Sequence, residues 1–288
     1  MPTISDEDCA KCENEITEDN LLLALKSMPN NKTPGNDGLS KEFYEAFWVD
    51  IKDVFINSLK QAKLVGNLSI SQRQAVIKLL EKKDRDKRFV KNRRPISLLN
   101  VDIKILSKAF AAKLKPILPS IISSNQTAYV EKRCISESGR LISDIIEVCG
   151  KENIPGYLVT MDLEKAFDSL DHDFLLCVLK KFGFGDNFIT WIKILLNDQQ
   201  SCVINGGFAT QYFNLHEGAR QGDPISAYLF IIALEVLFAL IKSKVDIKGI
   251  DIYNYSFLFT AYADDSTFFL KDIFSVRILV DTFLVFPD

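Results

Sequence analysis

Three carboxylates occupy positions where carboxylates are expensive. Asp162 closes the apolar run 157–161, and Asp264 and Asp265 stand side by side between the apolar runs 255–262 and 266–270. A desolvated, unpaired carboxylate is costly, and adjacent like charges repel unless a cation lies between them. Magnesium prefers oxygen ligands in an octahedral shell and commonly uses one or two protein carboxylates beside substrate phosphate. Two such ions about 3.5 to 4 Å apart serve phosphoryl transfer to a hydroxyl, where the protein supplies positioning and charge neutralisation. Taken alone, the Asp264-Asp265 pair also reads as a polar turn, which aspartate favours by tolerating left-handed backbone angles.

Carrying such groups requires stiff elements. The pattern predicts a helix over 18–28 with Thr17 as N-cap, broken by Pro29 and the turn Thr33-Pro34-Gly35-Asn36-Asp37-Gly38. One long amphipathic helix is expected over 40–64, with Phe43, Phe47, Phe55 and Leu59 among its apolar positions. A strand over 74–80 should enter the basic loop 81–94, with helices following at 102–118 and 137–149. A short, largely buried strand is expected over 157–162, then helices at 171–182 and 186–196. Asn205-Gly206-Gly207 marks a hairpin between 201–204 and 208–215. Asp223-Pro224 reads as a helix start, aspartate as N-cap and proline at the first helical position. A second hairpin joins 255–262 to 266–270 around Ala263-Asp264-Asp265, giving a mixed α+β body.

Composition bounds the class. A chain of 288 residues with 47% apolar and 25% charged residues can bury one or two sizeable cores. No basic stretch followed by an apolar one opens the chain, so no secretory signal is expected. The longest apolar run, 227–241, is interrupted by Glu235 and falls short of the roughly 20 residues of a membrane span, which predicts a buried helix and no membrane partner. Six cysteines without a framework of spacings predict reduced thiols and an intracellular protein. Cys9 and Cys12 form a C-x-x-C pair, but neither a second pair nor a nearby histidine completes a zinc site. His172 and His216, the two histidines, build no nucleophilic triad.

Net charge is −3, yet its distribution is lopsided. The first twenty residues hold seven acids against Lys11, whereas 78–115 holds thirteen Lys/Arg against four acids. Such a run is either a solvated face or an electrostatic footprint for nucleic acid.

Larger motifs decide between these readings. Tyr262-Ala263-Asp264-Asp265 resembles the Y-x-D-D motif of reverse transcriptases, and Met161-Asp162-Leu163-Glu164-Lys165-Ala166-Phe167-Asp168 resembles the palm motif that precedes it. Between them, Gly218-Ala219-Arg220-Gln221-Gly222-Asp223-Pro224-Ile225-Ser226 resembles the R-Q-G-D-P-[LI]-S signature. Asn31-Lys32-Thr33-Pro34-Gly35-Asn36-Asp37-Gly38 with Phe43-Tyr44 resembles the N-terminal extension of the non-LTR (LINE-type) retrotransposon branch, and Arg93-Arg94-Pro95-Ile96-Ser97-Leu98-Leu99 resembles its fingers motif. Ala227 and Glu217 depart from residues frequent in that family.

The resemblance implies a right-hand polymerase fold: an N-terminal extension over 1–70, fingers and palm over 71–288, and no thumb. It makes Asp162, Asp264 and Asp265 the metal-binding carboxylates, with the Leu163 carbonyl as a further ligand to two Mg2+ ions, or Mn2+ in their place. Phe167 would lie against the sugar of the incoming nucleotide and exclude a 2'-hydroxyl. Gln221 and Gly222 would hold nucleotide and template, and Arg94, Lys82 and Lys83 would meet the triphosphate. The rest of the basic run would track the template backbone, contacts that position rather than specify.

The implied activity is RNA-directed DNA synthesis from an RNA template, a DNA primer and deoxynucleoside triphosphates, in nucleus and cytoplasm. A non-catalytic RNA-binding remnant of a retroelement is the alternative. An RNA-dependent RNA polymerase shares paired aspartates, but Phe167 would obstruct ribonucleotides. Without a thumb to hold the primer, feeble activity is expected, and an exposed apolar patch at 278–286.

Overall fold

The computed structural model describes residues 2–86, 88–163 and 165–286; Lys87 of the basic run and Glu164 of the 161–168 motif lie outside them. Elements follow the chain as α1 (Asp6–Glu13), α2 (Glu18–Lys26), α3 (Lys41–Ala46), α4 (Trp48–Val65), α5 (Ile70–Arg73), β1 (Gln74–Glu81), β2 (Arg93–Leu99), α6 (Val101–Leu114) and α7 (Leu118–Ile121). Then come α8 (Ile135–Glu152), β3 (Tyr157–Met161), α9 (His172–Lys181), α10 (Asp186–Leu196), β4 (Gln199–Asn205), β5 (Phe208–Ala209) and β6 (Phe213–Leu215). The chain closes with α11 (Ser226–Ser243), β7 (Ile250–Ile252), β8 (Tyr255–Phe257), β9 (Phe259–Tyr262), β10 (Asp265–Leu270) and α12 (Ile273–Val285). Residues 4–114 with 167–230 form one compact unit, and 1–3 with 115–166 and 231–288 form another.

The first unit is built on a five-stranded sheet, order β2-β1-β4-β5, with β6 also on β4. β1 and β2 pair antiparallel from Ala75 opposite Leu99 to Glu81 opposite Arg93, and β1 runs parallel to β4. Helix starts follow local chemistry. Thr17 and Asn20 form a reciprocal capping box on α2, and the Asp171 side chain accepts the Phe174 N–H at the start of α9. Phe110, Phe188 and Trp191 meet in the core, Phe110 edge-on to Phe188 at 5.8 Å.

The expected single helix over 40–64 is two. It breaks at Phe47, which leaves helical geometry with φ −105° and ψ 16°. The break lets α3 pack on α2 and α6 through buried Tyr44, while α4 turns Trp48, Phe55, Leu59 and Ala62 inward. Likewise α6 stops at Leu114, short of the expected 118, and the next turn is the separate α7. The turn at 33–38 lies against the β2–α6 junction. A Cβ on Gly35 would fall 2.0 Å from Asn100 Oδ1 and 2.5 Å from its backbone nitrogen, so only glycine fits there.

The second unit holds a three-stranded antiparallel sheet, order β3-β10-β9, and the β7–β8 hairpin. The expected strand 255–262 is cut at Leu258. Tyr255–Phe257 pairs with β7, and Phe259–Tyr262 pairs with β10. Leu258 instead gives its carbonyl to the Phe269 N–H at 2.8 Å. Phe259 stacks on Phe238 and tilts against Phe268, which meets Phe283 edge-on.

β3 is not the buried strand its composition predicts. It is an edge strand, with Tyr157 44% and Leu158 48% exposed. An apolar run signals burial only when both faces are covered, and here one edge is open. The helix expected from Asp223-Pro224 begins at Ser226, because the Asp223 and Ile225 side of the turn is used to cap it: the Asp223 carbonyl accepts the Ser226 N–H at 3.2 Å. α11 extends beyond the apolar run 227–241 and is long and apolar enough to cross a membrane by length and composition, a test that a buried core helix also passes; most of it is buried in the protein, as the sequence predicts. The 278–286 segment lies in α12 and its C-terminal end, where Leu284 and Val285 are exposed while Leu279 and Thr282 are buried.

Candidate active site

The three aspartates belong to the second unit, and the sheet brings them together. Met161 is the register partner of Ser266, so Asp162 and Asp265 follow as the next positions on neighbouring antiparallel strands. Opposed residues in such a ladder have Cα atoms about 4.5 to 5.5 Å apart. Asp265 also pairs with Tyr262 of β9, leaving Ala263 and Asp264 as a two-residue hairpin loop. Ala263 takes φ 55° while Asp264 does not share it, the pattern of a type II′ turn, where glycine is the usual first residue.

The electrostatics fit a cation site open to solvent. Asp162 and Asp265 are exposed and Asp264 half-buried. Burial first, then the charges of Asp265 and Asp162, push the Asp264 carboxyl above its ordinary range, against the hydrogen bond from its own backbone. No ion pair within this unit reaches any of the three among the described residues. Nor do three His, Cys, Asp or Glu residues there form a ready-made metal cage.

The remaining candidates lie in the first unit. Phe167 is half-buried and stacks on Phe230 with centroids 4.8 Å apart. Its carbonyl accepts the Ala219 N–H at 2.6 Å, and the Leu170 carbonyl accepts the Gly218 N–H at 2.8 Å, so Phe167 and Leu170 lie alongside the start of the 218–226 motif. Gln221 is half-buried, and its carbonyl takes the Ser97 N–H at 2.7 Å, which ties the 93–99 motif to the same place. Gly222, at φ 120°, approaches Ser97 so closely that a Cβ would lie 2.5 Å from its carbonyl oxygen. Arg94 is exposed opposite Leu80, and Lys82 and Lys83 follow β1 at the tip of the β1–β2 hairpin, Lys82 half-buried and Lys83 exposed.

The basic run 78–115 is not one surface. Its hairpin portion is largely exposed, but Lys104 and Lys113 lie in α6, and burial lowers the affinity of both amines for their protons. Lys113 donates to the Cys12 carbonyl at 3.1 Å and to that of Asn14, anchoring the end of α1. The cysteines are all free, and burial pushes the Cys12 thiol up to about 12, which leaves it a plain thiol.

Three residues carry structure that their sequence context did not disclose. Arg220 is buried: one Nη donates to the Arg73 carbonyl at 3.0 Å, the other faces Asp223 Oδ2 at 3.8 Å, an ion pair beyond hydrogen-bond distance, and Nε has no hydrogen-bond partner among the described residues. Glu235 sits inside α11 and accepts the Ser123 N–H at 3.0 Å. Gln126, in a polar stretch with no local periodicity, reaches Ala263 in the aspartate turn. All three depend on contacts distant in sequence; Arg220 stood out only as a member of the 218–226 motif and Glu235 only as the one charge within an apolar run, while Gln126 left no trace.

Residues 80–286 match the family model for reverse transcriptase (RNA-dependent DNA polymerase). The chain is 34% identical over 95% of its length to the transposon TX1 uncharacterized 149 kDa protein of Xenopus laevis, and 24% identical over 94% to the retrovirus-related Pol polyprotein from type-2 retrotransposable element R2DM of Drosophila melanogaster. A 115 kDa protein in type-1 retrotransposable element R1DM, also of Drosophila melanogaster, is 22% identical over 92%. The alignments span 21%, 25% and 24% of those relatives, so this chain corresponds to about a fifth to a quarter of their length. Motifs, mixed α and β architecture and relatives agree: the chain belongs to the reverse transcriptase (RNA-dependent DNA polymerase) family, on the branch of the non-LTR, LINE-type retrotransposons.

Proposed function

We propose that this chain supplies the fingers and palm of an RNA-directed DNA polymerase, residues 1–70 being an N-terminal extension and 71–288 the polymerase body. The observation that carries the reading is the meeting of Asp162 with Asp264 and Asp265 at one end of the β3-β10-β9 sheet, where burial first and then the charges of Asp265 and Asp162 raise the Asp264 carboxyl. Asp162, Asp264, Asp265 and the Leu163 carbonyl are the groups that would hold Mg2+, which when bound neutralises charge on the attacking and leaving oxygens of the transfer.

The reaction joins a primer 3'-oxygen to the α-phosphorus of a deoxynucleotide and releases pyrophosphate. Phe167, stiffened by its stack on Phe230, restricts the space beside the sugar. Gln221 and Gly222 bind the base-paired nucleotide along a backbone that only glycine allows. Arg94, Lys82 and Lys83 attract the triphosphate and, together with the other exposed hairpin cations, the RNA backbone.

Extension of a DNA primer on an RNA template tests the reading, with RNA retention on a filter measured in parallel. Asp264→Asn should abolish extension and leave RNA binding intact. Undiminished extension by Asp264→Asn would refute the assignment of the aspartates. RNA binding without any extension, by a protein in which this chain is joined to a thumb, would favour a non-catalytic RNA-binding role.

A further inference from the structure

The aspartate turn is held by a side chain outside the motifs. Gln126 is 1% exposed, and its amide grips both backbone polar groups of Ala263, one in each of the peptide units that flank it. Its Oε1 accepts the Ala263 N–H at 2.9 Å and the Ala128 N–H at 3.0 Å, and its Nε2 donates to the Ala263 carbonyl at 3.1 Å. Ala263 is itself 4% exposed, so without Gln126 those groups would be buried and unpaired. Ala263 is also the residue at φ 55°, a conformation that costs an alanine free energy and that nothing in its own side chain supports.

The clamp rests on a rigid mount. Segment 125–127 lies parallel along the free edge of β9, with the Ala261 N–H donating to the Asn125 carbonyl at 2.8 Å and the Thr127 N–H to the Ala261 carbonyl at 2.9 Å. Ser138 Oγ lies 2.8 Å from both Thr127 Oγ1 and Thr260 Oγ1, linking α8 to both segments. On the other side, the Gln126 N–H donates to the Ser123 carbonyl, which also accepts from Arg133. Gln126 therefore enters the turn from a fixed direction with little rotamer freedom to lose.

We infer that Gln126 is a positioning residue for the aspartate turn, holding Ala263 in its left-handed conformation so that Asp264 stays beside Asp162 and Asp265, where a cation can draw the three carboxylates together. The inference rests on the proposed role of those aspartates. Pre-organisation of this kind affects metal binding more than RNA binding, because it sets the angle between carboxylates rather than the surface charge. It also makes the clamp and the alanine interdependent. Glycine at 263 adopts positive φ without the alanine penalty, so it should hold much of the turn without Gln126.

Mn2+ alone is the probe, its binding followed by electron paramagnetic resonance on the full chain, with a thermal melt of each variant. Gln126→Met preserves volume and removes all three hydrogen bonds; it should weaken Mn2+ binding about tenfold, the size expected for one or two buried hydrogen bonds. Gln126→Glu, which keeps an acceptor for the Ala263 N–H, should fall between, and it serves if the methionine variant melts before assay. In the Ala263→Gly background the same Gln126→Met change should weaken binding less than about threefold, about half the tenfold effect on a logarithmic scale. Equal losses in both backgrounds would overturn the inference, leaving Gln126 a general core residue, and so would unchanged Mn2+ binding by Gln126→Met while Asp264→Asn weakens it. Mn2+ binding unaffected by Asp264→Asn would instead refute the aspartate site itself.

Discussion

Replacing Glu235 with glutamine should change how stability responds to pH. Glu235 is 4% exposed in the middle of α11, where burial outweighs the Ser123 N–H and the charges of Lys242 and Arg133 and pushes its carboxyl from 4.5 up to about 7. The cations do not rescue it. Lys242 donates to Ser123 Oγ and Arg133 to the carbonyls of Ile122, Ser123 and Gln126, so both are spent on the 122–126 segment rather than paired with Glu235. Because the folded protein raises this pKa, the protonated form is the one that fits. Its contribution is fully present below the unfolded value near 4.5 and is lost as pH rises through about 7. At about 1.4 kcal/mol for each tenfold change, the loss is at most about 3.4 kcal/mol, and water penetration should reduce it to about 1–3 kcal/mol.

Glu235→Gln keeps an acceptor for the Ser123 N–H and carries no charge. It should be more stable than the unsubstituted chain by about 1–3 kcal/mol at pH 8, and within about 0.5 kcal/mol of it at pH 5. Urea unfolding at pH 5, 6, 7 and 8 measures this. Burial also raises the carboxyls of Asp102 and Asp264, but both proteins share those slopes and they cancel in the difference. A stability difference that is the same at pH 5 and pH 8, or one that favours glutamate at high pH, would refute the reasoning and mean that Arg133 and Lys242 hold Glu235 ionised.

Two further outcomes are expected. Phe167→Val removes the ring stacked on Phe230 and should raise ribonucleotide incorporation relative to deoxynucleotide by about tenfold or more, read by competitive primer extension; unchanged selectivity would return Phe167 to the core. Joint replacement of Lys82, Lys83 and Arg94 by Glu should flatten the salt dependence of RNA affinity by about two units of log–log slope, since single strands lose about 0.7 per phosphate contact, whereas Lys113→Ala should leave the slope alone and cost about 1–3 kcal/mol of stability, because its amine holds α1.

Local chemistry made much of the protein legible in advance. The helix starts at Thr17 and Asp171 rest on hydrogen bonds from backbone N–H groups three residues on, so residue type and spacing suffice to find them. α10 lies at 186–196 as its periodicity predicts, and the two-residue hairpin at Ala263-Asp264 lies where the apolar runs flank it. The order of the motifs identified the family, since chemistry at a metal site constrains residue types tightly. What local pattern could not supply was which faces are covered and which distant groups meet. The run at 157–161 has a buried strand's composition but forms an open edge, because exposure depends on how many neighbours the sheet provides. The break at Phe47, the cut at Leu258 and the inward turn of Lys104 and Lys113 all follow from packing partners far along the chain. Gln126 is the sharpest case: its role lies in hydrogen bonds to a residue 137 positions away, and only the folded sheet creates that distance. Sequence determined the chemistry available and most of the elements that carry it, while tertiary structure decided which polar groups were left needing a partner and which side chain met that need.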